Sequence, residues 1–166
     1  MLSASLASTA RAGLVTSGLV LDLEAWVGVV TDGSGNVISW ADQSGQGHHA
    51  TTGNPANAPT FVSNGLNGGP TLSFNGNGQY LNILGQVITS QQFTIMALVT
   101  DRDTTTGLRE IFSNWSPSSF TSSIFLGMIG VDHTRFSDSY DNVGVVSNRG
   151  EPFVLTGENS ATNATV

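Results

Sequence analysis

The feature that most limits what this chain can fold into is its punctuation. Short apolar or alternating runs recur at roughly the 8–12-residue spacing of sandwich strands, and Gly/Asn/Ser/Asp clusters separate them. The breaks are Asp32-Gly33, Asn64-Gly65, Asn67-Gly68-Gly69-Pro70, Asn75-Gly76-Asn77-Gly78 and Arg149-Gly150. Gly and Asn supply the positive-φ positions that tight turns between antiparallel strands require. Between Gly13 and Val166 no stretch sustains a 3.6-residue apolar period without Gly, Pro or β-branched interruptions, so helices are not expected. The pattern predicts strands over Gly18–Glu24, Val37–Ala41, Thr60–Ser63, Thr71–Phe74, Tyr80–Ile83, Phe93–Thr100, Arg109–Ser113, Ile124–Ile129, Thr134–Ser137, Val143–Val146 and Phe153–Thr156. The expected class is all-β, an antiparallel two-sheet sandwich.

Alternation assigns faces to two of these runs. In Gln92–Thr100, Phe93, Ile95 and Ala97 alternate with Thr94, Met96 and Leu98. Both faces are apolar, so this strand is expected in the centre of a sheet. Phe136, flanked by Arg135 and Ser137, reads as part of a half-exposed strand. A chain of 166 residues fits one domain, and neither a boundary nor an internal repeat is visible.

Charge narrows the partners. Charged residues make up 10% of the chain and the net charge is −7. The basic residues are five arginines, Arg11, Arg102, Arg109, Arg135 and Arg149, with no Lys and no Cys. Scattered arginines do not supply the clustered cations that phosphate binding demands, so nucleic acid is not an expected partner. A surface of small polar side chains is common on extracellular β-proteins, and the expected location is extracellular or on a cell surface, with a virion surface as the alternative. Without Cys the fold does not rely on disulfides. No run approaches the ~20 apolar residues of a helical membrane span. The opening MLSASLASTARA ends in Ala10-Arg11-Ala12 like a signal-peptide tail, but lacks a basic n-region and a full h-region. Residues 1–17 are therefore read as a signal remnant or as an N-terminal arm.

Three segments together carry a known pattern. They are Gly18-Leu-Val-Leu-Asp-Leu-Glu24-Ala25, then Gly35-Asn-Val-Ile-Ser-Trp40-Ala-Asp42-Gln-Ser44-Gly45-Gln-Gly47-His-His49-Ala50-Thr51, then Pro59-Thr-Phe61 leading into Leu72-Ser-Phe74-Asn75-Gly76 and Gln79-Tyr80-Leu81. Their order resembles the bacterial laminin-G-like branch of the concanavalin A-like lectin/glucanase superfamily. The likeness is strongest over Gly18–Leu98 and weaker through Phe136–Asp138 and Pro152–Gly157. It implies a jelly roll over residues 18–166, with a structural Ca²⁺ in some relatives. Relatives carry an aromatic where Asp22 stands, Asp where Glu24 stands, and Asn-Asp or Asn-Asn in place of His48-His49. They also continue past the position of Val166 into a further strand and hairpin, so the sandwich is expected to lack its last strands.

The candidate site residues divide by chemistry. Trp40 and Asp42 are two apart on an extended segment and share a face. Asp42 either caps the Ser44–Gly47 turn through backbone N–H groups or supplies oxygen to Ca²⁺. His48 and His49 point to opposite sides and do not easily share a metal. Asp22 and Glu24 stand about 6–7 Å apart, between the separations of retaining and inverting glycosidases. The third carboxylate of laminarinase-type enzymes is missing, so no enzymatic activity and no catalytic residue is expected. Trp115, in the Ser/Pro-rich loop Ser113–Phe120, is read as a sugar-stacking ring with Asn114 beside it, or as a lid on the core. Tyr140 and Asn142 form a second such loop, where Asp138 and Asp141 offer a second Ca²⁺ site. Two functions follow as expectations. One is a non-catalytic recognition module for a glycan or a protein surface. The other is a structural subunit of a virion surface or extracellular filament, self-assembling through the N-terminal arm or through an edge strand near Ala161–Val166.

Overall fold

Turn chemistry fixes the strand ends from the first hairpin onward. β1 (Val29–Thr31) and β2 (Val37–Trp40) pair antiparallel. Between them Asp32 accepts the backbone N–H groups of Ser34 and Asn36 at 2.9 Å each and the Asn36 side-chain amide at 2.8 Å. The Asn36 amide, then the two backbone donors, hold the Asp32 carboxyl below its ordinary pKa. The second hairpin, β4 (Thr60–Leu66) with β5 (Gly69–Ser73), turns on Asn67 and Gly68 at φ 48° and 81°. Positive φ at both central residues matches the turn twist to the strand twist.

A computed structural model describes residues 16–102, 107–114, 124–137, 144–145, 149–160 and 164–165. The remaining strands are β3 (Ala50–Thr51), β6 (Asn82–Ile83), β7 (Phe93–Thr100), β8 (Leu108–Asn114), β9 (Ile124–Ile129), β10 (His133–Ser137), β11 (Gly144–Val145), β12 (Pro152–Asn159) and β13 (Ala164–Thr165). Among the described residues there is no α-helix, only a 3₁₀ turn at Pro55–Asn57. Asn54 caps that turn, its side chain accepting the Ala56 N–H. The class is all-β, in antiparallel sheets ordered β1-β2-β3-β6, β11-β10-β9-β8, β13-β12-β7 and β4-β5.

The main core lies between β7/β12 and β8/β9/β10. Leu126, Met128, Phe136 and Leu155 are buried, with Phe93, Ile95, Val99, Phe112, Ile124 and Phe153 packed around them. Period-two alternation sends these side chains inward, and Phe93 meets Phe136 edge-on at 6.1 Å. Gly157 in β12 makes room for the Phe136 ring: a Cβ there would stand 2.5 Å from it. A second buried set, Val37, Ala50, Ala58 and Pro59, belongs to the N-terminal half.

Asp101 braces one end of this core. Its carboxylate accepts from Arg109 and Arg149 at 3.1 Å each, and its carbonyl accepts the Gly150 N–H. Arg109 also donates to the carbonyls of Gly107 and Gly130. The brace joins the residue after β7 to β8, to the β9–β10 turn and to the approach to β12.

Three expectations need correction. The run Gly18–Glu24 forms no strand; it contributes one bridge, Leu23 to Asp42. Its neighbouring bonds run to side chains and to an irregular turn, which interrupts a ladder. β7 is not central among the described strands, since only β12 pairs with it. Its outer face is open, with Met96 68% and Leu98 63% exposed, because apolar residues on both faces do not specify what covers the second one. The strand around Phe136 is not half-exposed: Phe136 is 3% and Arg135 1% exposed. The Arg135 guanidinium stacks over the Phe125 ring at 4.0 Å and pairs with Glu110, contacts that offset part of the cost of holding a cation away from water.

Candidate functional site: an oriented tryptophan beside a carboxylate

The segment around Trp40 is built as a knot. Asp42, buried, accepts the N–H groups of Asp22 and Ser44 on Oδ1 at 2.9 Å each. Its Oδ2 accepts the Ser44 hydroxyl at 2.8 Å and the His48 N–H at 2.9 Å. Burial pushes this carboxyl up, but the Ser44, Asp22 and His48 donors outweigh it and hold the pKa at about 2. An ionised carboxylate has about four lone-pair positions, and four protein donors already occupy them.

The backbone N–H of Asp42 donates to Nδ1 of His49 at 3.0 Å, and His48 Nδ1 donates to the Leu84 carbonyl at 2.7 Å. The two histidines thus serve separate contacts, one closing the turn and one tying it to the segment after β6. Across the knot, Gln43 N–H donates to Asp22 O at 2.7 Å, and the Ser44 Oγ, whose proton goes to the nearer Asp42 carboxylate, lies 3.2 Å from Val20 O.

This knot fixes Glu24, and Glu24 fixes two indoles. Its carbonyl accepts the Trp40 Nε1–H at 2.8 Å and the Val27 N–H at 3.0 Å. Its carboxylate accepts the Trp26 Nε1–H at 3.1 Å. Trp40 is half-buried, whereas Trp26 is 71% exposed. The opposite edge of the Trp26 ring lies against Gly69, where a Cβ would stand 3.2 Å from Cζ3 and 3.6 Å from Cε3. Trp26 is therefore held at its pyrrole edge by Glu24 and seated at its benzo edge on the β4–β5 hairpin, while most of its surface meets solvent. A large aromatic surface held open in this way is unusual, because burial of an aromatic side chain is normally favourable.

Sequence reasoning gave Trp26 no role. The available signal was position: Trp26 follows the last predicted strand residue, Glu24, and precedes a turn glycine, Gly28. Gly28 has φ 74°, and a Cβ there would stand 2.5 Å from the Ala41 side chain.

Of the ligand candidates read from sequence, Asn114 is exposed at the end of β8, opposite Ile124 in the β8–β9 register. Trp115, Tyr140, Asn142, Asp138 and Asp141 lie outside the described residues. Among the described residues no group of three or more His, Cys, Asp or Glu side chains comes together as a metal site, and no helix is long and apolar enough to cross a membrane. Comparison with protein-family models, curated proteins and solved structures gives no match to this chain.

Proposed function

We propose that this chain is a non-catalytic, saccharide-recognising module of the laminin-G-like, concanavalin A-like jelly-roll type, working on the outside of a cell. The observation that carries the reading is Trp26, 71% exposed yet pinned at both edges. A sugar ring binds by laying its C–H face on an indole while nearby polar groups take its hydroxyls. A ring already held in place loses little conformational freedom when it is covered. The Glu24 carboxylate at the ring edge is an acceptor for hydroxyls. The Asp22/Glu24 pair is read as non-catalytic because the third carboxylate is missing, and the bond to Trp26 gives Glu24 a positioning role in this reading. In this reading Asp42 is a turn cap, and any structural Ca²⁺ is assigned to Asp138 and Asp141. The test is equilibrium binding to a panel of immobilised polysaccharides. Trp26→Ala is expected to abolish retention that the parent chain shows. Retention unchanged in that variant would remove Trp26 from the site.

A second reading, a structural subunit, draws on a different surface. Leu98 and Val154 are direct cross-strand neighbours, and with Met96 they leave an apolar stripe on the outer face of β7 and β12. Such a stripe is a candidate packing surface between copies of the chain. Light scattering at micromolar concentration, with and without Leu98→Lys, separates a concentration-dependent oligomer from a monomer.

A further inference from the structure

The contact between Trp26 and Gly69 fixes which side of the β4–β5 hairpin adjoins the open indole. We infer that the Trp26 site continues along that side and takes a linear, uncharged glycan of the extended, cellulose-like kind, laid lengthwise on β5, and not a single terminal sugar. The inference rests on the saccharide reading above and deepens it.

A Cβ on Gly69 would point at the Trp26 ring, 3.2 Å from Cζ3. Side chains alternate along a strand, so Trp26 lies on the face that Gly69 shares with Thr71 and Ser73. The ladder carries that face across to β4, where Val62 stands opposite Thr71 and Thr60 opposite Ser73. Thr60 and Ser73 are exposed and Thr71 is half-buried. The Thr71 side chain lies across Gly65, where a Cβ would collide with its Oγ1, so this hydroxyl rests flat on the hairpin. A sugar stacked on Trp26 is thus followed along β5 by three hydroxyls, those of Thr71, Ser73 and Thr60. Each can donate and accept, which matches the hydroxyls of successive sugar rings. From Gly69 to Ser73 the strand advances about 13 Å, longer than a disaccharide.

Charge and shape set the class. The two strands, Thr60–Leu66 and Gly69–Ser73, carry no ionisable side chain, so neither a uronate nor an ammonium group meets a counter-charge there. The net charge of −7 further repels uronates. A strand offers a nearly straight path. An extended glycan follows it, whereas a coiled one, such as a malto-oligomer, leaves it after the ring on Trp26.

The experiment uses the full chain and isothermal titration with cello-oligomers from the disaccharide to the hexasaccharide, and with malto-oligomers of the same lengths. Affinity for cello-oligomers is expected to rise about tenfold from the disaccharide to the tetrasaccharide, as further hydrogen bonds form, and then to level off. Malto-oligomers are expected to show no such rise. Thr60→Val with Ser73→Ala is expected to remove the rise and leave disaccharide affinity unchanged, and Ser73→Thr, which keeps the hydroxyl, to retain it. Trp26→Ala is expected to lose every oligomer. Affinity that does not grow with length, or growth that persists in the double variant, overturns the lengthwise site; if binding still depends on Trp26, the saccharide reading stands. A malto-oligomer series that rises as steeply overturns the extended class. Failure of every cello-oligomer to bind overturns the inference, while the polysaccharide panel above decides the saccharide reading by itself.

Discussion

The Asp42 carboxylate accepts the backbone N–H of Asp22 at 2.9 Å across 20 residues of chain. That single contact, with Gln43 N–H returning to Asp22 O, docks the opening segment on the tryptophan turn and so sets where Glu24 and Trp26 stand. The folded pKa of Asp42, about 2, lies below its ordinary 3.8. A carboxylate with a depressed folded pKa contributes stability that is full above the unfolded value and lost as pH falls through the folded one. Denaturant midpoints measured between neutral pH and about pH 2 are expected to drop most steeply below about pH 4. In Asp42→Asn that part of the drop should flatten, and stability at neutral pH should fall by about 2 kcal/mol. An unchanged acid profile in the variant would show that Asp42 does not hold the knot.

Gly157 and Phe136 give a packing prediction. Gly157→Ala puts a methyl 2.5 Å from a ring that is itself buried. Inserting a carbon into a packed core costs about 1–3 kcal/mol, which thermal melts can read. Phe136→Leu combined with Gly157→Ala should recover part of that loss.

The ion pair between buried Arg135 and partly exposed Glu110 calls for a double-mutant cycle. Burial raises the Glu110 pKa, and Arg135 partly pulls it back. Glu110→Ala removes one partner of a guanidinium that is 1% exposed, and leaving a buried donor short of a partner costs about 1–3 kcal/mol. Replacing both residues together, by Leu and Met, is expected to cost much less than the sum of the single changes. Additive single costs would mean that the pair is not coupled.

The two tryptophans on Glu24 should separate cleanly. Trp40→Ala removes a half-buried ring and its bond to the Glu24 carbonyl, and a loss of about 3 kcal/mol is expected. Trp26→Ala removes a mostly exposed ring and should stay within about 0.5 kcal/mol of the parent. A large loss in Trp26→Ala would mark the ring as part of the fold and remove it as a free binding platform.

These residues also show what sequence pattern conveys. β7 and β9 have the bounds that alternation predicts, Phe93–Thr100 and Ile124–Ile129, because a β-branched and aromatic run ending at turn residues is a local property. β1 at Val29–Thr31 and β3 at Ala50–Thr51 escape, since runs this short become strands only when β2 lies between them. Gly18–Glu24 fails in the opposite sense: its composition suits a strand, yet the Asp42 carboxylate and the Gln43 N–H take the backbone groups of Asp22. The burial of Arg135 depends on Phe125 and Glu110 arriving from two other strands. The site follows the same logic. Trp26 is visible as a residue, but its exposure and its bond to Glu24 depend on Trp40, Asp42 and Gly69 all being in place. Trp115 and Tyr140, the rings that sequence put forward, lie outside the described residues.

The most direct test is an NMR titration that follows the indole N–H signals of the three tryptophans, assigned by single Phe replacements, as an oligosaccharide fragment of a polysaccharide that retains the chain is added. The account predicts that the Trp26 signal shifts progressively and saturates, while the Trp40 signal, held on the Glu24 carbonyl, stays near its starting position. A Trp26 signal that does not move, or a response confined to Trp115, would contradict it.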